Sequence, residues 1–219
     1  MVREGILRNE LLRSSKRLDE LGLNRGTSGN CSIREAGQKK FFLITPSAVP
    51  VDELCAEDMV EMGLDGGMDG LSGKPSSEWR IHRDIYSARS DVLAVVHTHS
   101  PFATALSCMR KDLPAFHYMI AVAGGDSIRC APYSLFGTED LSRGVLIALD
   151  SRRACLLANH GMVAVGATLT SAISLAVEVE ALCEQYMLAL SAGGPVLLSK
   201  HEMSDVFEQF VGYRNSREN

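Results

Sequence analysis

The sequence contains no apolar run approaching the roughly 20 residues that a helix needs to cross a bilayer, so no membrane partner is expected. Its first residues, Met1-Val-Arg-Glu-Gly5, begin a charged amphipathic segment without the apolar core of a secretory signal. The expectation is a cytoplasmic protein. There is no Cys-x-x-Cys pair. Cys31, Cys55, Cys108, Cys130, Cys155 and Cys183 stand singly among apolar neighbours, which suits buried, reduced thiols better than a disulfide framework or a zinc ribbon. Positive charge is also in short supply: 22 Lys and Arg against 27 Asp and Glu leave a net charge of −5. No basic cluster carries interleaved aromatics, so a nucleic-acid surface is not expected, and an anionic ligand would have to be held by local donors. Internal repeats and low-complexity linkers are missing as well. What remains is 219 residues, 46% of them hydrophobic, enough to bury a substantial core as a single domain over residues 1–219.

The feature that stands out is Val92-Leu-Ala-Val-Val-His-Thr-His-Ser100, an apolar run ending in two histidines one residue apart. Side chains alternate along a strand, so His97 and His99 share a face with their Cα atoms about 6.6 Å apart. Two imidazoles at that separation can converge on one cation. Ser100 and Pro101 are a cap and a first helical residue for the segment that follows, which places the pair where the chain leaves the sheet.

Elsewhere the pattern alternates between strand and helix. Residues 2–21 carry Leu7, Leu11 and Leu18 at helical spacing and stop at Gly22; short strands are expected over 31–34, 41–45, 128–133, 154–158 and 162–165. Val51 to Met59 reads as a short helix, residues 60–73 as a strand and turn around Asp65-Gly and Asp69-Gly, and Leu113 to Ile120 as an extended segment. Thr138 opens a helix running to about Asp150. Residues 170–192 form the longest helix, with Glu178, Glu180 and Glu184 on a solvated face, and Ser199-Lys-His-Glu202 is a capping box for a final helix. Helices over a sheet follow, with His97, His99 and His160 all at strand ends.

Two segments can bind an anion or can be ordinary punctuation. Asn24-Arg-Gly-Thr-Ser-Gly-Asn30 offers backbone N–H groups in a glycine-rich loop, or is a plain turn. Ser76 and Ser77 precede a helix bearing Trp79, His82 and Tyr86, where they favour a phosphate or simply cap the helix. His82, one turn after Glu78, is a possible ligand but fits packing better. Three histidines with an open position is the arrangement of a catalytic zinc, and Glu78 is the natural fourth group, a ligand at rest and a base in action.

Gly26-Thr-Ser-Gly-Asn30, Ile44-Thr-Pro-Ser47, Pro75-Ser-Ser-Glu-Trp79, Val96-His-Thr-His99, His117-Tyr-Met-Ile120, Ala131-Pro-Tyr-Ser-Leu-Phe-Gly-Thr138 and Asn159-His-Gly161 occur in one order. In these motifs the chain resembles the class II aldolase/adducin family, and within it the L-fuculose-1-phosphate aldolases, from the first helix to Tyr213. The resemblance implies a three-layer α/β fold with a mostly antiparallel central sheet covered by helices. It implies an aldehyde-lyase with one Zn2+ per subunit, cleaving L-fuculose 1-phosphate or a similar deoxyketose 1-phosphate to dihydroxyacetone phosphate and an aldehyde such as L-lactaldehyde. On that resemblance His97, His99, His160 and Glu78 hold the metal, and Glu78 is also the acid/base. Gly29, Asn30, Ser47, Ala48, Ser76 and Ser77 grip the phosphate, Tyr118 and Tyr213 serve catalysis, and Phe136 and Phe210 line the aldehyde pocket. Tyr118 and the tail reach across a subunit boundary, which implies a homotetramer.

Two departures bear on specificity. Ser47-Ala48 stands where the fuculose-phosphate enzymes commonly read Thr-Gly, and residues 193–198 diverge. A 5-deoxyribulose- or 5-(methylthio)ribulose-1-phosphate aldolase is therefore the nearest alternative. A non-catalytic adducin-like assembly module is a different class, one in which the metal ligands would be expected to be lost. A β/α-barrel metallohydrolase is disfavoured by length.

Overall fold

The computed structural model describes residues 2–68 and 73–215, with side chains described from 4 to 211 outside that gap; the Asp69-Gly turn lies outside the described residues. Seven strands form one sheet: β1 (Asn30–Ile33), β2 (Phe41–Ile44), β3 (Val60–Gly63), β4 (Ala94–Thr98), β5 (Cys130–Ala131), β6 (Ala154–Leu157) and β7 (Gly161–Gly166). Their order is β3-β2-β1-β4-β7-β6-β5, antiparallel throughout except for the parallel β5–β6 pair.

The period-two alternation of the strands builds the layers. On one face Cys31, Ile33, Leu43, Ala94, Val96, Leu156 and Met162 pack beneath α1 (Val2–Glu20), α3 (Pro101–Ser107) and α5 (Leu169–Ser191). On the other, Phe42, Ile44, Val95, Cys155, Leu157, Val163 and Val165 pack beneath α2 (Trp79–Ala88) and α4 (Glu139–Ala148). Two helical layers around a sheet give the expected three-layer α/β fold. The last helix, α6 (Lys200–Asn215), opens with the Ser199–Glu202 capping box: Ser199 N–H donates to Glu202 at 2.7 Å and Glu202 N–H to Ser199 Oγ at 3.2 Å.

Several elements differ from the sequence expectation for local reasons. The helix expected over 51–59 is reduced to one 3-10 turn, Ala56–Asp58, closed by Asp58 accepting from Cys55 N–H at 2.8 Å. The extended segment expected to reach Ile120 ends early. His117 Nδ1 accepts from Met119 N–H at 3.2 Å and caps a 3-10 helix, Tyr118–Ala123, that stops at Gly124 in the left-handed region. The strand over 128–133 is cut to Cys130–Ala131, with Ile128 making only an isolated bridge to Leu113. Of the six free cysteines only Cys31, Cys155 and Cys183 are buried; Cys55 and Cys108 are exposed, because they sit in turns rather than strands. Among the described residues no helix is long and apolar enough to cross a membrane.

Candidate metal centre and active site

β4 and β7 are adjacent, and this brings the histidines together. His97 is paired in register with Val163 of β7 and with Asn30 of β1, while His99 lies just past the end of β4. His160 sits in the three-residue connection between β6 and β7, where Asn159 takes a left-handed conformation at φ 55° to make the tight return. Gly161 follows because nothing larger fits: a Cβ there would lie 2.2 Å from the carbonyl oxygen of Thr98. Glu78 enters from the start of α2, above the same strand ends.

The three rings form a propeller, with centroids 4.8–4.9 Å apart and planes inclined at 70–77°. His97 Nε2 lies 3.0 Å from His99 Nε2 and 3.0 Å from Glu78 Oε2; His160 Nε2 lies 3.1 Å from Glu78 Oε1. His97 Nδ1 faces the carbonyl oxygen of Met162 at 2.8 Å, so it carries the hydrogen and leaves Nε2 as a lone pair directed inward. One ligand atom from each of the four residues falls within 4.8 Å of the other three.

Electrostatically the members of this cluster are strongly coupled. Glu78 and His97 are buried, and Glu78 Oε1, despite its proximity to His160, has no hydrogen-bond partner. Burial pushes the Glu78 carboxyl up, but His97 and His160 outweigh it and hold the group well below the usual carboxylate range. Burial pushes His97 down, and the Glu78 carboxylate more than reverses this. His99 is pushed down to about 4 by burial and by the neighbouring His97 and His160. A carboxylate held ionised among inward-pointing imidazole nitrogens, with an orphaned buried oxygen, fits a divalent metal: three nitrogens and one carboxylate oxygen are a tetrahedral donor set.

Beside the cluster lies a cavity of about 330 Å³. Gly29, Asn30, Ser47, Ala48, Ser76, Ser77 and Phe136 line it together with Glu78, His99 and His160. Ser76 is buried and its Oγ accepts from Glu78 N–H at 3.3 Å, a local turn contact; the N-cap of α2 is Glu78, with no side-chain cap, so the expected serine cap is not formed, and Ser77 stays exposed just before the helix. Gly29, at φ 78°, has Asn24 pressed against it; a Cβ would meet Asn24 Oδ1 at 2.2 Å. Ala48 adopts φ 59°, the conformation a glycine would take without cost. Tyr133, Ser134 and Asn159 also line it; they stand inside motifs named above but were assigned no role, since only the fold brings their loops to this rim.

Tyr118 and Phe210 are elsewhere. They line an apolar groove with Met119, Val206 and Gln209, and Tyr118 is 51% exposed. Tyr213 falls in the last turns of α6, outside the residues whose side chains are described. His82 is not a ligand; its ring is hydrogen-bonded to Ser32 and Asn30. The sequence reading also missed Glu180. Placed there on a solvated face, it instead accepts from Ser100 Oγ at 2.6 Å and from Phe102 and Ala103 N–H at 2.8 Å each, capping α3 just beyond His99.

An arrangement of this kind, a cluster able to hold a metal beside an open cavity, is that of a metal-dependent enzyme. Comparison with known proteins is more specific: the family model described as Class II Aldolase and Adducin N-terminal domain matches residues 9–187. The chain belongs to the class II aldolase and adducin family, and it is a class II aldolase, a metal-dependent aldehyde-lyase. It is 50% identical over 207 residues to the 5-methylthioribulose-1-phosphate/5-deoxyribulose-1-phosphate aldolase of Rhodospirillum rubrum, covering 94% of this chain and 92% of that one. It is 44% identical over 209 residues to the L-fuculose phosphate aldolase of Escherichia coli O6:H1, covering 94% and 95%. A solved structure described as an L-fuculose 1-phosphate aldolase superposes with a TM-score of 0.88 at 40% identity, covering 93% of this chain and 95% of that one.

Proposed function

We propose that this chain, acting as a single cytoplasmic domain, cleaves L-fuculose 1-phosphate or a similar deoxyketose 1-phosphate to dihydroxyacetone phosphate and an aldehyde such as L-lactaldehyde. The observation that carries the reading is that Gly29, Asn30, Ser47, Ala48, Ser76 and Ser77 share one cavity with Glu78, His99 and His160. Backbone N–H groups and hydroxyls beside the positive end of α2 suit a phosphate, which would hold the far end of a short sugar against the cluster. His97, His99, His160 and Glu78 would hold Zn2+. When bound, the ion supplies electrophilic stabilisation of the negative charge left on substrate oxygen when the carbon–carbon bond breaks.

The chain's own residues then move protons. In the synthetic direction Glu78, ionised at rest, would remove the proton from the carbon that forms the new bond; in cleavage it would return to that carbon a proton taken up from solvent. Tyr118, with Tyr213, would give its phenolic proton to the aldehyde oxygen in the synthetic direction, and in cleavage the phenolate would take that proton back from the hydroxyl and become neutral phenol. Tyr118 lines a groove separate from the cavity, so a neighbouring copy in a homotetramer is the source proposed for both tyrosines. Phe136 at the cavity, and Phe210 from the neighbour, would flank the aldehyde end.

A second reading is favoured by one observation: the Rhodospirillum rubrum relative is the more similar of the two aldolases compared, at 50% against 44% identity. Cleavage of 5-deoxyribulose or 5-(methylthio)ribulose 1-phosphate, which differ at the aldehyde end, would use the same phosphate and metal groups. The test is a coupled assay for released dihydroxyacetone phosphate across a panel of ketose 1-phosphates, with metal content measured alongside. About one zinc per chain and a clear preference for one deoxyketose are expected. No turnover on any of them, with metal loaded, would defeat both readings.

A further inference from the structure

One buried titratable group takes no part in that proton chemistry. His82 lies fully buried on α2. Asn30 and Ser32 lie two residues apart on β1 and therefore face α2 together. Between them sits the His82 ring, with Nδ1 2.6 Å from Ser32 Oγ and Nε2 2.6 Å from Asn30 Oδ1. Asn30 Nδ2 in turn donates to Glu78 Oε2 at 3.1 Å, and Ser32 Oγ meets the Tyr86 hydroxyl at 2.8 Å.

Read from the ionised Glu78 carboxylate, this chain of side chains points to one arrangement of hydrogens. The Glu78 carboxylate accepts, so the Asn30 amide must present N–H to it and turn its carbonyl toward His82. A carbonyl only accepts, so the hydrogen is on His82 Nε2. The neutral ring then accepts at Nδ1 from Ser32, which accepts from the Tyr86 hydroxyl at 2.8 Å and is the nearer of two acceptors for that hydrogen, the Leu93 carbonyl oxygen lying at 3.5 Å. The opposite tautomer would set the Asn30 carbonyl oxygen against the Glu78 carboxylate oxygen. A cationic ring would put charge into an apolar layer, and burial pushes the His82 pKa down to about 3.

We propose that His82 is a positioning residue for the aldolase reaction: as its Nε2–H tautomer it locks the Asn30 amide, whose N–H holds Glu78 Oε2 and fixes the carboxylate toward His97 and His160. No contact with substrate is involved. The kinetic part of this inference rests on the assignment of Glu78 as proton carrier, while the tautomer itself does not.

The test combines spectroscopy with kinetics. In 15N-histidine-labelled wild-type protein at pH 7, metal-free and zinc-loaded, His82 is expected as the neutral ring with its hydrogen on Nε2. His82→Phe is expected to keep KM for the preferred ketose 1-phosphate within about threefold, while kcat falls about 10- to 100-fold. His82→Gln, whose amide N–H can again face Asn30, should recover part of that loss. A hydrogen on Nδ1, or on both nitrogens, overturns the proposal, as does a folded His82→Phe with kcat within about twofold of wild type. Should His82→Phe not fold, or should the wild type turn over none of the sugar phosphates, the tautomer decides: Nε2–H supports the proposal and any other form ends it.

Discussion

At the residue scale, charge and conformation are separable by substitution. Glu78→Gln removes the ionisable oxygen while keeping size, so ligand binding should persist while turnover falls about 10²–10⁴-fold, read by steady-state kinetics beside a ligand-binding titration. Ala48, at φ 59°, bears a left-handed backbone that costs a side-chain-bearing residue about 1–2 kcal/mol. Ala48→Gly should raise stability by about 1 kcal/mol, offset in part by the entropy of the unfolded glycine, as a shift in the urea midpoint. His82 ties folding to pH. Its folded pKa of about 3 lies below its unfolded value, so the unfolded chain binds more protons in the interval between them. The stabilisation is complete above the unfolded pKa near 6.5 and is lost as pH falls toward 3, by up to about 1.4 kcal/mol per pH unit. The difference between wild type and His82→Gln in urea titrations of chelated protein from pH 7 to 4 isolates it. At this scale the gathering of His97, His99, His160 and Glu78 was legible because the His-x-His spacing and a further His and Glu at element ends pointed to one place. Tyr133 and Asn159 stood inside quoted motifs without a role, because their place at the cavity rim depends on pairing between distant segments.

At the element scale, the sequence reading succeeded where periodicity was long and capped. The helix ending at Ser191, the Ser199 capping box and the His-x-His strand follow from patterns that local chemistry decides. It failed where tertiary partners decide. The segment around Tyr118 looks extended because nothing in its composition announces that His117 will cap a 3-10 helix. Glu180 looks like surface charge because helical spacing says nothing of α3, whose first turn it meets. That carboxylate receives three donors at the start of α3, two backbone and one hydroxyl, so Glu180→Ala should cost about 2 kcal/mol in chemical denaturation. The loss should also loosen His99, immediately before Ser100. Metal affinity measured by competition with a chelator is expected to fall, while Glu184→Ala on the exposed side of the same helix changes neither quantity.

At the scale of the whole molecule, assembly and metal loading should be coupled to function. If Tyr118 and Tyr213 act from a neighbouring copy, sedimentation should show four associated chains, and substitutions in the Tyr118–Phe210 groove should lower activity in step with dissociation. A fully active monomer would contradict this. The four clustered residues that could hold a metal also come from three stretches far apart in sequence: the loop before α2, the end of β4 and the β6–β7 return. An ion seated among them clamps the middle of the fold much as a crosslink would. Heating scans should therefore reach a higher Tm with zinc present than with chelator, by about 4 kcal/mol of added stability at a thousandfold excess over Kd. A cell short of the ion would then lose the protein itself to unfolding and proteolysis, and abundance would track metal supply as closely as catalytic rate does.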